Sequence, residues 1–144
     1  MKKKYNIGEK KERAANYISA LKPETVDRIY EQIMLKFVVE KKYRDSKYTA
    51  ARMAGEIGHN TRYISAVTHL RFRDNFSQLI NSFRIREAMY MLTDKHFAGM
   101  SAEEIGIYTG FSSRQSFYAA FFRMNNMTPM EYRLSMSEDK NNKK

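Results

Sequence analysis

Two stretches of this chain share one pattern: a capping residue, a short helix with an apolar face, a glycine, then a second capped helix. The repeat confines the fold to helices crossing at tight turns. The better-marked copy lies in residues 101–133, SAEEIGIYTGFSSRQSFYAAFFRMNNMTPMEYR. Ser101 is placed to cap the N–H of Glu104 while the Glu104 side chain reaches back, and Met100 and Ile105 sit where a hydrophobic staple closes. Gly110 ends this helix, because glycine accepts the positive φ that a turn between crossed helices requires. Ser112 or Ser113 caps the next helix. Phe117, Ala120, Phe121 and Met124 recur on its inner face, which leaves Arg114, Gln115, Tyr118 and Ala119 on the other.

Residues 49–72, TAARMAGEIGHNTRYISAVTHLRF, repeat the unit. Thr49 caps a helix bearing Met53, Ala54 and Ile57, Gly58 turns the chain, and Asn60 caps a helix with Ile64 and Val67 inside. Its exposed face is predicted to carry Thr61, Arg62, Ser65 and Ala66. Ala54 precedes Gly58 by four positions, as Gly106 precedes Gly110, so a small residue stands in each unit where the helices cross closely. Two copies are too few for a solenoid. Between them residues 75–94 contain no proline or glycine. Phe76, Leu79, Ile80, Phe83, Ala88 and Leu92 give that stretch one apolar face. As a helix it spans roughly 30 Å, close to the ~34 Å turn of B-DNA. Ahead of the repeat, Pro23 suits a first helical turn, and Val26, Ile29, Tyr30, Ile33 and Phe37 form a stripe ending near Arg44. The predicted fold is all-α, two helix-turn-helix units joined by a long linker helix, with residues 24–133 forming one helical body.

A helix-turn-helix unit sends its second helix into the DNA major groove with N-terminal polar residues against base edges. Arginine pairs bidentately with guanine and glutamine with adenine, so Arg62, Arg114 and Gln115 are suited to that work, alongside Thr61, Ser65, Ala66, Ser113, Tyr118 and Ala119 on the same faces. The generic features equally suit a helical hairpin in an ordinary bundle. Charge favours a polyanionic partner: Lys+Arg 26 against Asp+Glu 16 gives a net +10. No run of about 18 apolar residues spans a bilayer and no apolar signal core follows the N-terminus, so the expected location is the cytoplasm, at the nucleoid, with no membrane partner. With no cysteine, and three histidines (His59, His69, His96) far apart in sequence, no disulfide, metal site or cofactor is expected. Nor is a small-molecule site or an enzyme: Glu103 and Glu104 are adjacent on a helix and diverge, and no nucleophile has a matched base. The rival reading is a protein-interaction module on the same scaffold, with Tyr63, Tyr118 and Phe122 as anchors. Residues 1–22 read as a flexible basic lead-in and 134–144 as a disordered polar tail.

GFSSRQSFYAAFFRMNNMTPMEYR resembles the signature of the AraC family of bacterial transcription regulators, of the kind G-F-x-x-x-x-x-F-x-x-x-F-x-x-x-x-x-x-T-P-x-x-Y-R, and RIREAMYML resembles the family's linker, with Arg84 and Ala88 at matching places. The resemblance covers the span 23–133. It implies two homeodomain-like helix-turn-helix units, sequence-specific binding to double-stranded DNA, and RNA polymerase as a further partner. Departures concern mainly the reading helices. Ala66 and Ala119 stand where many members carry arginine, Thr68 where phenylalanine is usual, Arg73 and Asn126 where glycines follow each second helix, and Gly106 where alanine is usual. Arg62 and Arg114 are therefore the candidates to take over base reading. Many members carry a ligand-binding domain first, for which the residues before Pro23 leave no room. The chain is expected to be either a short member or the C-terminal piece of a longer regulator.

Overall fold

The computed structural model describes residue 18 and residues 20–142, with side chains through Glu138. Most of the predicted basic lead-in lies outside the described residues. Those residues form seven α-helices and no strand: α1 Pro23–Met34, α2 Ala50–Ile57, α3 Thr61–Phe72, α4 Phe76–Thr93, α5 Ala102–Tyr108, α6 Arg114–Asn125 and α7 Pro129–Asn142. The first helix stops short of Arg44. It passes at Leu35–Val39 into a π-helical turn, and Lys41, in left-handed geometry, precedes a single 3-10 turn at Lys42–Arg44. The chain gathers into two compact units. Of the described residues, the first comprises those through Val39 with Thr49–Phe76, the second Glu40–Tyr48 with those from Ser77 onward.

In the first unit, α3 packs on both α1 and α2. Pro23 opens α1, and every third or fourth residue after it, Val26, Ile29, Ile33 and then Phe37, is buried. These share the core with Met53, Ala54, Ile64 and Val67. Tyr30 meets Phe72 at 5.5 Å between ring centroids, and Arg71 lies over Tyr30 while pairing with Asp27. Thr68 is fully buried, and its hydroxyl donates to the Ile64 carbonyl one turn back at 2.7 Å. That bond is what admits a polar side chain into an apolar interior.

The second unit is built around α4. Ile85, Ala88, Met91 and Leu92 face Ile105, Phe111, Phe117 and Phe121 in one continuous core. Arg84 is buried among them and clasps the Glu40–Tyr48 segment. Its Nε donates to the Tyr43 carbonyl at 2.7 Å, one terminal nitrogen to the Asp45 carbonyl at 3.1 Å, and the other to Asn81 Oδ1 at 3.1 Å. One turn along, Glu87 accepts a two-pronged hydrogen bond from Arg44, 2.8 and 2.6 Å, with Lys41 3.7 Å away. α7 completes the unit. Thr128 Oγ1 caps it by accepting from the Glu131 N–H at 3.1 Å, and Tyr132 stands edge-on to Phe121 at 5.6 Å. Arg133 donates to the carbonyls of Leu92 and Met100, each at 2.9 Å, tying α7 to the end of α4 and to the start of α5. The helix continues to Asn142, through most of the stretch predicted as a disordered tail. Once the helix is nucleated each further residue adds one backbone hydrogen bond, and no glycine or proline follows Pro129 to interrupt it.

Candidate nucleic-acid interface

The two helix-turn-helix units are assembled by the local signals read from the sequence. Thr49 Oγ1 accepts from Arg52 N–H and Asn60 Oδ1 from Tyr63 N–H, each at 3.1 Å, and Gly58 turns the chain between α2 and α3 at φ +84°. In the second unit Ser101 Oγ accepts from Glu104 N–H at 3.1 Å, and Gly110 turns at φ +121°. The reciprocal capping box forms elsewhere than predicted, at the start of α6. Ser113 Oγ accepts from Ser116 N–H at 3.1 Å, and Ser113 N–H donates back to Ser116 Oγ at 3.3 Å. The close crossing is real. A β-carbon on Gly106 would lie 2.4 Å from the Phe117 ring, so α5 and α6 approach at a distance only glycine allows.

On α3, Thr61, Arg62 and Ser65 are exposed as expected, and His69, named in the sequence only as lacking a nearby histidine, extends the same stripe. Spacing was its signal: His69 follows Ser65 by four positions and Arg62 by seven. Ala66 requires correction. It is only 5% exposed, because α3 is covered by α1 as well as α2 and its buried arc is wide enough to take Ala66 in with Ile64, Val67 and Thr68. Among the described residues, Arg62 has no ion-pair or hydrogen-bond partner.

On α6, Ser113, Arg114, Gln115 and Ala119 are exposed, while Tyr118 is half-buried against the core. Phe122 is 52% exposed on the Gln115 and Ala119 side. Met124, predicted to face inward, is 45% exposed. Seven-residue α5 does not run the length of twelve-residue α6, so the last turn of α6 loses that cover. Arg114 is not free. Its Nε lies 3.3 Å from Glu103 Oε1 and its guanidinium 4.8 Å over the Tyr118 ring, while the Tyr118 hydroxyl donates to the same Glu103 oxygen at 3.0 Å. Glu103 stands in the first turn of α5, where backbone hydrogen bonding, then the Tyr118 hydroxyl and the Arg114 charge, hold its carboxyl below the usual value. These two faces carry hydrogen-bonding side chains at the amino ends of exposed helices, the placement that presents donors and acceptors to base edges.

A family model described as a helix-turn-helix domain matches residues 53–135. The chain belongs to the AraC-type helix-turn-helix family. An AraC-type domain is the DNA-binding part of a transcription regulator, and that is this chain's function. Among solved structures, the C-terminal domain of AraT, a response regulator from Geobacillus stearothermophilus, superposes with a TM-score of 0.64 at 21% identity, over 81% of this chain and 88% of that one. A DNA-binding transcriptional dual regulator from Escherichia coli K-12 gives 0.61 at 21% identity over 83% and 97%. An AraC-type regulator from Chromobacterium violaceum gives 0.63 at 20% identity over 76% and 92%. Comparison with curated protein sequences gave no significant match. Likeness at this identity carries the all-helical AraC-type fold. Among the described residues no helix is long and apolar enough to cross a membrane, and no group of three or more His, Cys, Asp or Glu is placed to hold a metal ion.

Proposed function

We propose that residues 23–133 form a sequence-specific double-stranded DNA reader in which α3 and α6 each enter one of two successive major-groove segments, in a regulator that acts at the nucleoid with RNA polymerase as its further partner. The observation that carries this reading is the two-sidedness of both second helices. Each begins at a side-chain cap, buries one apolar face, and exposes hydrogen-bonding residues in its first turns: Thr61, Arg62 and Ser65 on α3, Arg114 and Gln115 on α6. Arg62, exposed and unpaired among the described residues, is the guanine reader of the first unit. The net charge of +10 supplies the sequence-independent part of the affinity through phosphate neutralisation. Binding, with no catalytic step, is the activity.

Selection of bound duplexes from a random library tests the proposal directly. The expected result is enrichment of a site with two short blocks of base preference about one helical turn, ~10 bp, apart. Recovery of duplexes without enrichment would reduce the function to unspecific phosphate binding.

A further inference from the structure

The exposed surface of α6 is organised differently from that of α3. Its one cation in the first turn, Arg114, has a side chain 68% exposed, yet it pairs with Glu103 and lies over the Tyr118 ring. To reach a guanine it would have to leave both, and it would leave the half-exposed Glu103 carboxylate without its cation near the phosphates. Among the other exposed residues of α6, Gln115, Ala119 and Phe122 are spaced four and three apart and so lie in one stripe along the helix. One is a neutral amide with a donor and an acceptor. The other two are apolar, and Phe122 is a large ring left 52% exposed on a small domain. An amide matches the N6/N7 edge of adenine, and an apolar side chain matches the 5-methyl group that distinguishes thymine in the major groove.

We infer that the second unit reads A·T pairs, with Gln115 on an adenine N6/N7 edge and the Ala119–Phe122 strip on a thymine 5-methyl group, while Glu103 keeps Arg114 from guanine. This rests on the proposed reading of α6 as a DNA-contacting helix and names the bases it selects. Glu103 is thereby a positioning residue for specificity, acting through Arg114 and touching no base itself.

The test uses the full chain and the best duplex from library selection, in which each thymine is replaced singly by deoxyuridine, which lacks only the methyl group, and each adenine by 7-deazaadenine, which lacks only N7. For the wild-type chain, one or two deoxyuridine positions in one block should lower affinity about fourfold each, the value of one buried methyl. That loss should vanish in Ala119→Gly/Phe122→Ala, and the loss at a neighbouring 7-deazaadenine should vanish in Gln115→Ala. Glu103→Gln should bring a new guanine preference into the same block, and Glu103→Gln/Arg114→Ala should abolish it. A structural role for Glu103 alone would change the melting midpoint without that gain. The inference is overturned if no deoxyuridine substitution costs affinity, if the cost persists unchanged in the double variant, or if wild type already prefers guanine in that block and loses the preference in Arg114→Ala. A failed selection, with no enriched duplex, refutes DNA reading itself and is recognised before any modified base is used.

Discussion

Gly110→Ala provides the sharpest test of how the second unit is held together. A methyl group there meets two obstacles. The backbone at φ +121° is a conformation that L side chains rarely adopt, costing about 1 to 3 kcal/mol. The new β-carbon would also lie 2.1 Å from the Tyr43 carbonyl oxygen and 2.6 Å from Arg84 Nε, the two atoms joined by a 2.7 Å hydrogen bond. Neither is the free end of a flexible chain. Tyr43 offers backbone, and Arg84 is buried with all its bonds directed. Relief therefore requires the Glu40–Tyr48 segment to move and that charged hydrogen bond to break, a further ~1.5 to 3 kcal/mol. The sum, about 2.5 to 6 kcal/mol, is a large share of the ~5 to 15 kcal/mol that stabilises a domain. Gly58→Ala is the matched control: its φ is +84°, but nothing lies within 4 Å of the added carbon, so only the backbone cost of about 1 to 2 kcal/mol applies. Urea unfolding of both variants, followed by circular dichroism, gives the two losses. Equal losses, or a Gly110→Ala loss below about 1 kcal/mol, would show that the clasp of Arg84 on Tyr43 contributes nothing beyond turn geometry.

Arg73 caps α3 at φ +61°, a left-handed position, so Arg73→Gly should stabilise the chain by about 1 kcal/mol in the same urea assay, whereas Asn126→Gly, at φ +57°, should gain less because asparagine tolerates that region. Arg62→Ala should cost ~1 to 3 kcal/mol on the selected duplex and relax preference at about one base position; an even loss across single-base variants of the site would make Arg62 a phosphate contact. Neutralising ~6 phosphates predicts a slope of about −5 for log affinity against log salt, and a slope near zero in a titration of duplex binding would remove the electrostatic component. Burial alone would raise the Glu87 carboxyl, but its hydrogen bonds and charge interactions with Arg44, and the Lys41 charge, outweigh burial and hold it below the usual value. The stability it contributes is thus complete above the unfolded-state value near ~4.3 and is lost as pH falls through the lower folded value, so Glu87→Gln should flatten the acid limb of unfolding free energy against pH.

The elements that were legible in the sequence are those specified by short-range chemistry. Thr49, Asn60 and Ser101 cap the helices they were expected to cap, Ser113 does so of the two serines offered, and Gly58 and Gly110 both turn at positive φ, since a cap or turn depends on residues within a few positions of it. The signature that marks the family proves to be chiefly a set of structural parts. Phe111, Phe117 and Phe121 are core, Thr128 is a cap, Tyr132 packs on Phe121, and Arg133 binds the carbonyls of Leu92 and Met100. A pattern made of such parts identifies the fold and is silent on which bases are read.

What only the tertiary structure decided depends on partners distant in sequence. Arg84 was legible only as a match to the family's linker pattern; that it is buried follows from the carbonyls of Tyr43 and Asp45, which come to it from about forty positions away. Ala66 and Ala119 follow their caps by the same number of positions and have the same side chain, yet one is buried and the other exposed, because burial depends on the neighbouring helices and not on position along the helix itself. Arg114 has the composition and place of a base reader. Its meeting with Glu103 follows from the close crossing of α5 and α6 that Gly106 permits, a distance set by backbone packing that no residue pattern states. Caps, turns and apolar periodicity thus assembled two reading helices from the sequence alone, while the availability of each side chain on those helices was settled by packing.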